Sequence, residues 1–274
     1  MNTKSLSLYV IYAWLLLFCI IPVTCIVLAS FLSKDSAHLI TLPWTLSHYI
    51  HLFSPAFAHI FIRSILIALF TTVCCLLLAY PFSYLLIKSK YQSTLLILII
   101  IPFWTSSLIR TYSLLSLLKF KGIINALLLK LHLIQTPLNL LYSNASVIGG
   151  LVYTLFPFMV LPLYTQMERF DFRLIEAGKD LGANRWSLFF RIFLPNTLPG
   201  INAGCLLVFL PAMTLFYIPN ILGGARSILI GNMIQNQFLV LENWPEGATT
   251  SVVLTLTLVF FFIFYRRPPQ EIMH

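Results

Sequence analysis

Charge is what this sequence has least of. Charged residues occupy 9% of its 274 positions, and only eight of them are acidic; a soluble domain carries about 25%. Hydrophobic residues reach 59% and the mean hydropathy is +0.91, which excludes a soluble domain and leaves an integral membrane protein, whose spans matter more than its length. The net charge of +9 comes from residues scattered over loop edges. It lacks the basic stripe interleaved with aromatics that nucleic acid requires, so nucleic acid is excluded as a partner and membrane lipid is the expected contact. The five cysteines (Cys19, Cys25, Cys74, Cys75 and Cys205) lie in apolar runs. They form no CxxC pair and no metal-ligand spacing, and read as small hydrophobes. Motifs that carry chemistry are missing as well. There is no GxxxxGKS/T, so ATP cannot be bound through a P-loop. No HExxH, GxSxG or acid pair falls within an apolar run. The chain is expected to hold no catalytic residue, no metal and no cofactor of its own.

What is present is a series of long apolar runs, read as six transmembrane helices of an all-α membrane protein forming a single domain over residues 1–274. The spans are expected at about 6–32, 64–87, 94–118, 145–166, 197–219 and 249–265. The first run is too long for the 7–15-residue core of a cleavable signal peptide, and Pro22 is expected to bend it. Trp44 to Phe53 reads as a short helix at the interface. His48 and His51 stand three apart there, but no third ligand follows at a metal spacing. Gly122 to Ile134 is too short to cross a bilayer, which takes about 20 apolar residues. Residues 220–248 read as a polar loop.

Six spans put both termini on one side. If that side is the cytoplasm, ten of the seventeen basic residues lie inside: Lys4, Lys88, Lys90, the five from Arg169 to Arg191, Arg266 and Arg267, and those left outside include Lys119, Lys121 and Lys130. The bias favours this orientation. None of the acidic residues falls within an expected span, whereas a proton- or sodium-coupled carrier places an ionisable relay there. The intramembrane charge is Arg110, roughly 24 Å along the third span at 1.5 Å per residue, near the outer interface. Prolines interrupt several spans, which suits helices that surround a path, and Gly200 with Gly204 permits close helix approach.

The longest polar interruption is residues 176–195, EAGKDLGANRWSLFFRIFLP, within a loop at 167–196. Its fixed points are Glu176, Ala177, Gly178, then Gly182 after three residues, then Ile192, Leu194 and Pro195 after nine more; Asp180 adds charge between them. This pattern resembles the EAA motif of bacterial ABC importer permeases, EAA-x3-G-x9-I-x-LP, with one departure, Gly178 in place of the second Ala. The resemblance implies the type I ABC importer permease fold, with this loop forming cytoplasmic coupling helices that dock in a groove of an ATPase subunit. Phe189, Phe190 and Phe193 would anchor the loop to the membrane.

The likeness extends along the chain. PFWTSSLIRTYSLL (102–115), GLVYTLFPFMVLPLY (150–164), DLGA, the run from Ala203 to Phe238, and TLSHYIHLF (45–53) are similar to PotB-type permeases of spermidine/putrescine importers. That implies an importer in a bacterial inner membrane, moving polyamine from periplasm to cytoplasm. Its partners would be a second, homologous permease, two ATPase subunits holding ATP and Mg, and a periplasmic polyamine-binding protein. A polyamine calls for aromatic faces, and Phe216 and Tyr217, just before Pro219, are the expected path residues, with Trp104, Asn220 and Gln235 beside them. Carboxylates suited to a polycation are missing from the spans. A permease for another small solute, an anion or a chelated metal, therefore stays open, as does a secondary transporter.

Overall fold

A computed structural model describes residues 8, 11–34, 41–42, 44–224 and 227–265. Lys4, Arg226, Arg266, Arg267 and the beginning of the first expected span lie outside the described residues. Those described are overwhelmingly helical, with one isolated antiparallel bridge between Ser33 and Thr41. Among the described residues six helical runs are long and apolar enough to cross a membrane: Ile11–Ala29, Pro55–Lys88, Ser107–Lys130 (interrupted by a turn after Leu118), Asn144–Glu168, Arg185–Thr214 and Trp244–Ile263. The chain divides into two compact units, Met1–Phe61 with Gly231–His274, and Ile62–Ile230.

The unit built from the two ends of the chain holds α1 (Ile11–Ala29), α2 (Ser47–His51), nearly all of α11 (Ile230–Leu239) and α12 (Trp244–Tyr265). No residue of α1 is buried, as suits a helix whose solvent is lipid. Its irregularity is a π turn over Leu16–Ile20, directly ahead of Pro22. The polar contacts gather at the far end of α1. The Thr249 hydroxyl donates to the Ser30 carbonyl at 3.0 Å, Ser30 Oγ lies 2.8 Å from the Tyr49 hydroxyl, and Lys34 donates to the Leu241 carbonyl. Asn243 caps α12 reciprocally: its Oδ1 accepts from the Glu246 amide while its Nδ2 donates to the Glu246 carboxylate.

The other unit is organised around α7 (Asn144–Glu168). Val147, Leu151, Leu155, Met159, Leu163 and Met167 recur every four residues along one face, and all are buried. Ser143 caps this helix with a reciprocal Ser146 bond. α10 (Leu194–Thr214) packs on α7 through its glycines. A Cβ at Gly204 would stand 2.6 Å from Met159 Sδ, and one at Gly200 would stand 2.9 Å from the Pro162 carbonyl. Small residues here let two helices approach without a hydrophobic drive, which hydrocarbon does not supply. α3 (Pro55–Lys88) presents Ala68, Cys75, Ala79, Ser83 and Leu86 as buried residues. α4 (Gln92–Ile100), α5 (Ser107–Leu118) and α6 (Ile123–Lys130) complete the unit, with the coupling segment described below.

Three expectations about elements need correction. The run 94–118 is not one helix. α4 tightens into a 3-10 turn over Ile101–Trp104 and stops, because Thr105 and Ser106 turn extended ahead of α5; Pro102 removes an amide there, and the Thr105 hydroxyl donates to the Pro102 carbonyl. The fifth span ends at Thr214 rather than 219. Leu215 is extended, and the chain re-enters helix as a π turn over Pro219–Gly223. Residues 220–248 are not simply a loop, since α11 lies within them. Two acids also touch helix ends: Glu168 closes α7 and Glu246 stands in the first turn of α12.

Candidate functional site

The expected coupling segment folds into two short helices joined by a tight turn. α8 (Arg173–Asp180) begins where Asp171 accepts the Arg173 amide and guanidinium. The backbone N–H first, and the guanidinium second, hold the Asp171 carboxyl below its ordinary range. α8 ends in a Schellman motif: the Ala183 amide reaches back to the Gly178 carbonyl and the Gly182 amide to that of Lys179. The motif needs a left-handed residue, and Gly182 supplies it with φ +79. Asn184 follows at once as the N-cap of α9 (Arg185–Leu188), its Oδ1 accepting the Ser187 amide at 2.7 Å. The turn between the helices is thus hydrogen-bonded on both sides.

Gly178 is buried at the seam. A Cβ there would sit 2.6 Å from Leu188 Cδ2 and 3.0 Å from Ile192 Cδ1. The glycine that departs from the motif thus sits where α8 lies on α9, closed in by two flexible side-chain ends. The opposite side of this knob is open: Glu176, Ala177, Asp180 and Gly182 are exposed, and so are Leu181 at 89% and Trp186 at 72%. Among the described residues the ion pair within the chain is Arg173–Asp171, which leaves the Glu176 carboxylate without a cation.

The knob is fastened to the helices. The chain widens into a π turn over Phe189–Phe193 and enters α10 with Pro195 in its first turn, where a missing amide is tolerated. Leu194 is half-buried and Pro195 exposed. Phe193 is buried, its ring 5.4 Å from that of Tyr84, 5.2 Å from Phe170 and 6.2 Å from Tyr80. Phe189 meets Tyr80 edge-on, and the Tyr80 hydroxyl lies 3.0 Å from Thr197 Oγ1. So Phe189 and Phe193 anchor the knob to α3 rather than to lipid. Phe190 is exposed and stacks on Trp186. A second tie joins the start of α4 to the end of α7: Gln92 Nε2 donates to the Tyr164 hydroxyl and to Glu168, and the Tyr164 hydroxyl donates to Glu168 at 2.6 Å. Tyr80 and Tyr84 carried no signal in the sequence, being aromatics in an apolar run. Leu181 and Trp186 did carry one, as apolar residues inside the most polar stretch.

The expected path residues are less gathered. Phe216 and Tyr217 pack edge to face at 6.1 Å, between the end of α10 and the π turn. Phe216 and Asn220 are exposed, and the Asn220 amide donates to the Phe216 carbonyl. This turn is held from behind: the Leu222 carbonyl accepts from the Tyr142 amide and from Ser146 Oγ. Trp104 is 84% exposed at the break between α4 and α5. Gln235 belongs to the other compact unit. Arg110 lays its guanidinium over the Phe103 ring at 4.7 Å.

No family model matches the chain. Whole-length relatives do. It is 43% identical over 266 residues to the spermidine/putrescine transport system permease protein PotB of Haemophilus influenzae, covering 96% of this chain and 93% of the relative. To PotB of Escherichia coli it is 46% identical over 259 residues, 94% of each. It is also 28% identical, over 81% of its length and 75% of the relative, to the E. coli inner membrane ABC transporter permease protein YdcU. Among solved structures, a chain of a bacterial alginate ABC transporter in complex with an alginate-bound periplasmic protein superposes with TM-score 0.77 at 15% identity, covering 96% of this chain and 92% of that one. A second structure, of an ABC transporter involved in alginate import, gives 0.71 at 20% identity and 97% coverage of each. At those identities the likeness concerns the fold.

Proposed function

We propose, on the premise that this chain belongs to the PotB family of ABC-transporter permease proteins, that it is the membrane-spanning subunit of an ATP-driven importer of spermidine and putrescine. It acts as a single permease domain in a bacterial inner membrane, with both termini cytoplasmic and 167–196 as its coupling loop. Two ATPase subunits, a second permease homologous to this one, and a periplasmic polyamine-binding protein complete the machine. ATP and Mg belong to the ATPase subunits and drive their closure; this chain receives the motion.

The observation that carries the reading is the knob of α8 and α9. It is rigid within, through the Schellman turn and the Asn184 cap, yet it leaves Leu181, Trp186 and Glu176 uncovered. Large apolar residues on a polar loop mark a partner surface, and Glu176 offers a carboxylate to a partner's cation. Motion of the knob passes to α3 and α10 through Phe193, Tyr80 and Thr197, because packed rings and a hydrogen-bonded hydroxyl resist shear. Phe216 and Tyr217 meet the substrate: an alkyl ammonium gains from aromatic faces and, with the acids of their own unit all at or beyond the far end of α7, is released as easily as it is held. Asn220 and Trp104 line the same route, and Gln235 is a separate candidate in the other unit.

The test is ATP hydrolysis by the complex co-purified with this chain and reconstituted in lipid. Binding protein loaded with spermidine or putrescine is expected to stimulate it. Absence of stimulation by either polyamine overturns the substrate. Glu176→Lys and Gly182→Asp are each expected to abolish ATP-driven uptake while the protein still inserts, and normal uptake in both removes the docking role.

A further inference from the structure

α6 is built inside out. It follows α5 after a turn at Lys119–Gly122, where Gly122 is buried so tightly that its would-be Cβ lies 2.7 Å from the Lys119 carbonyl. Its inward residue is polar: Asn125, 1% exposed. The Asn125 amide group donates to the carbonyls of Phe120 and Leu138, and its Oδ1 accepts the Leu138 amide. Its outward residues are apolar. Ile123, Leu127 and Leu131 follow one another at intervals of four and are all exposed, and Phe120 and Leu133 extend the patch. At 3.6 residues per turn these three fall on the side opposite Asn125. In water that arrangement would be upside down. It is ordered correctly for a helix whose outer face meets hydrocarbon, and α5 before it also exposes large apolar residues, Leu108, Ile109 and Tyr112.

Three exposed lysines frame the patch: Lys119 and Lys121 before the helix, and Lys130 on its outer face. They have no carboxylate within reach in their own unit. Between residues 62 and 230 the acids are Glu168, Asp171, Glu176 and Asp180, all at or beyond the far end of α7, which spans about 37 Å at 1.5 Å per residue. Three cations beside an apolar face, on the side where cations are disfavoured, call for an external anion that is also greasy. An acidic protein surface would answer the lysines but not the stripe.

We propose that α6 lies in the membrane interface and binds anionic phospholipid, its Ile123–Leu127–Leu131 stripe against acyl chains and Lys119, Lys121 and Lys130 on the headgroup phosphates. The inference rests on the reading of the chain as membrane-spanning with both termini cytoplasmic, and deepens the expected lipid contact by naming its site and class. It is tested on the full complex in nanodiscs of phosphatidylcholine mixed with phosphatidylglycerol, extracted gently and weighed by native mass spectrometry. Each lysine near an anionic surface multiplies affinity by about fivefold. The variant Lys119→Gln/Lys121→Gln/Lys130→Gln is therefore expected to retain at least about tenfold less phosphatidylglycerol, with phosphatidylcholine unchanged. Leu127→Trp supplies a second readout: its added fluorescence is expected to be quenched by brominated phosphatidylglycerol, and the triple lysine change should relieve that quenching. Equal phosphatidylglycerol retention in the triple variant overturns the proposal. So does unchanged lipid with lost stimulation by the binding protein, which would assign the face to a protein partner. If polyamine-loaded binding protein stimulates neither form while lipid retention still differs, the importer reading fails and this one stands.

Discussion

Gly178 sits buried where the two helices of the knob meet. An alanine here would gain about 1 kcal/mol of helix propensity, but its Cβ would press on the Leu188 and Ile192 methyl ends. Those are the tips of flexible side chains, so the two effects nearly offset. Gly178→Ala is expected to leave stability within about 1 kcal/mol of the parent. Gly178→Val adds branching with no room for it and should cost about 1–3 kcal/mol. Denaturation midpoints of the purified chain in detergent decide both. A Gly178→Val protein as stable as the parent would mean that α8 does not lie on α9 as described.

At the scale of elements, two joints make separable claims. Asn125 ties α6 to the segments on either side of it, and Asn125→Ala would remove its bonds to the part-buried Leu138 amide and to the Phe120 and Leu138 carbonyls, which costs about 1–3 kcal/mol. Faster hydrogen exchange confined to residues 119–138 is the expected result. The start of α8 depends on pH with a definite sign. Because the Asp171 carboxyl is held low in the folded state, its contribution is complete above the ordinary aspartate range and is lost as pH falls through the depressed value. Acidification should therefore fray α8 before α7, and Asp171→Ala should remove that dependence, both read as amide exchange. Asp171 is exposed, so the effect is local.

How much of this was legible varies by element. Glu176, Gly182 and the Leu194–Pro195 pair were legible as fixed points of a motif, and the coupling helices followed from the resemblance; the left-handed turn at Gly182 and the Asn184 cap became visible only in the folded chain. The break at Thr105–Ser106 was not legible, since two small polar residues in an apolar run look like any membrane helix, and only their extended backbone separates α4 from α5. α11 was hidden by its polarity, with Asn232, Gln235, Asn236 and Gln237 in ten residues. The fastening of Phe193 to Tyr80 and Tyr84 joins residues more than a hundred positions apart, a distance at which sequence pattern carries no information about partners.

The family follows from whole-length likeness to PotB proteins, and the fold agrees with that of ABC transporters of quite different sequence. Within it, the chain supplies an open knob at one end of α7 and an aromatic pair at the turn after α10, connected through helices that pack on glycine and methionine. The account's central claim is that force enters at Glu176 and Gly182 and that polyamine moves in response. The most direct measurement is uptake of labelled spermidine into proteoliposomes that hold this chain with its ATPase, its partner permease and binding protein. The account predicts accumulation that requires ATP and disappears with Glu176→Lys. Accumulation without nucleotide, or undiminished in Glu176→Lys, would contradict it.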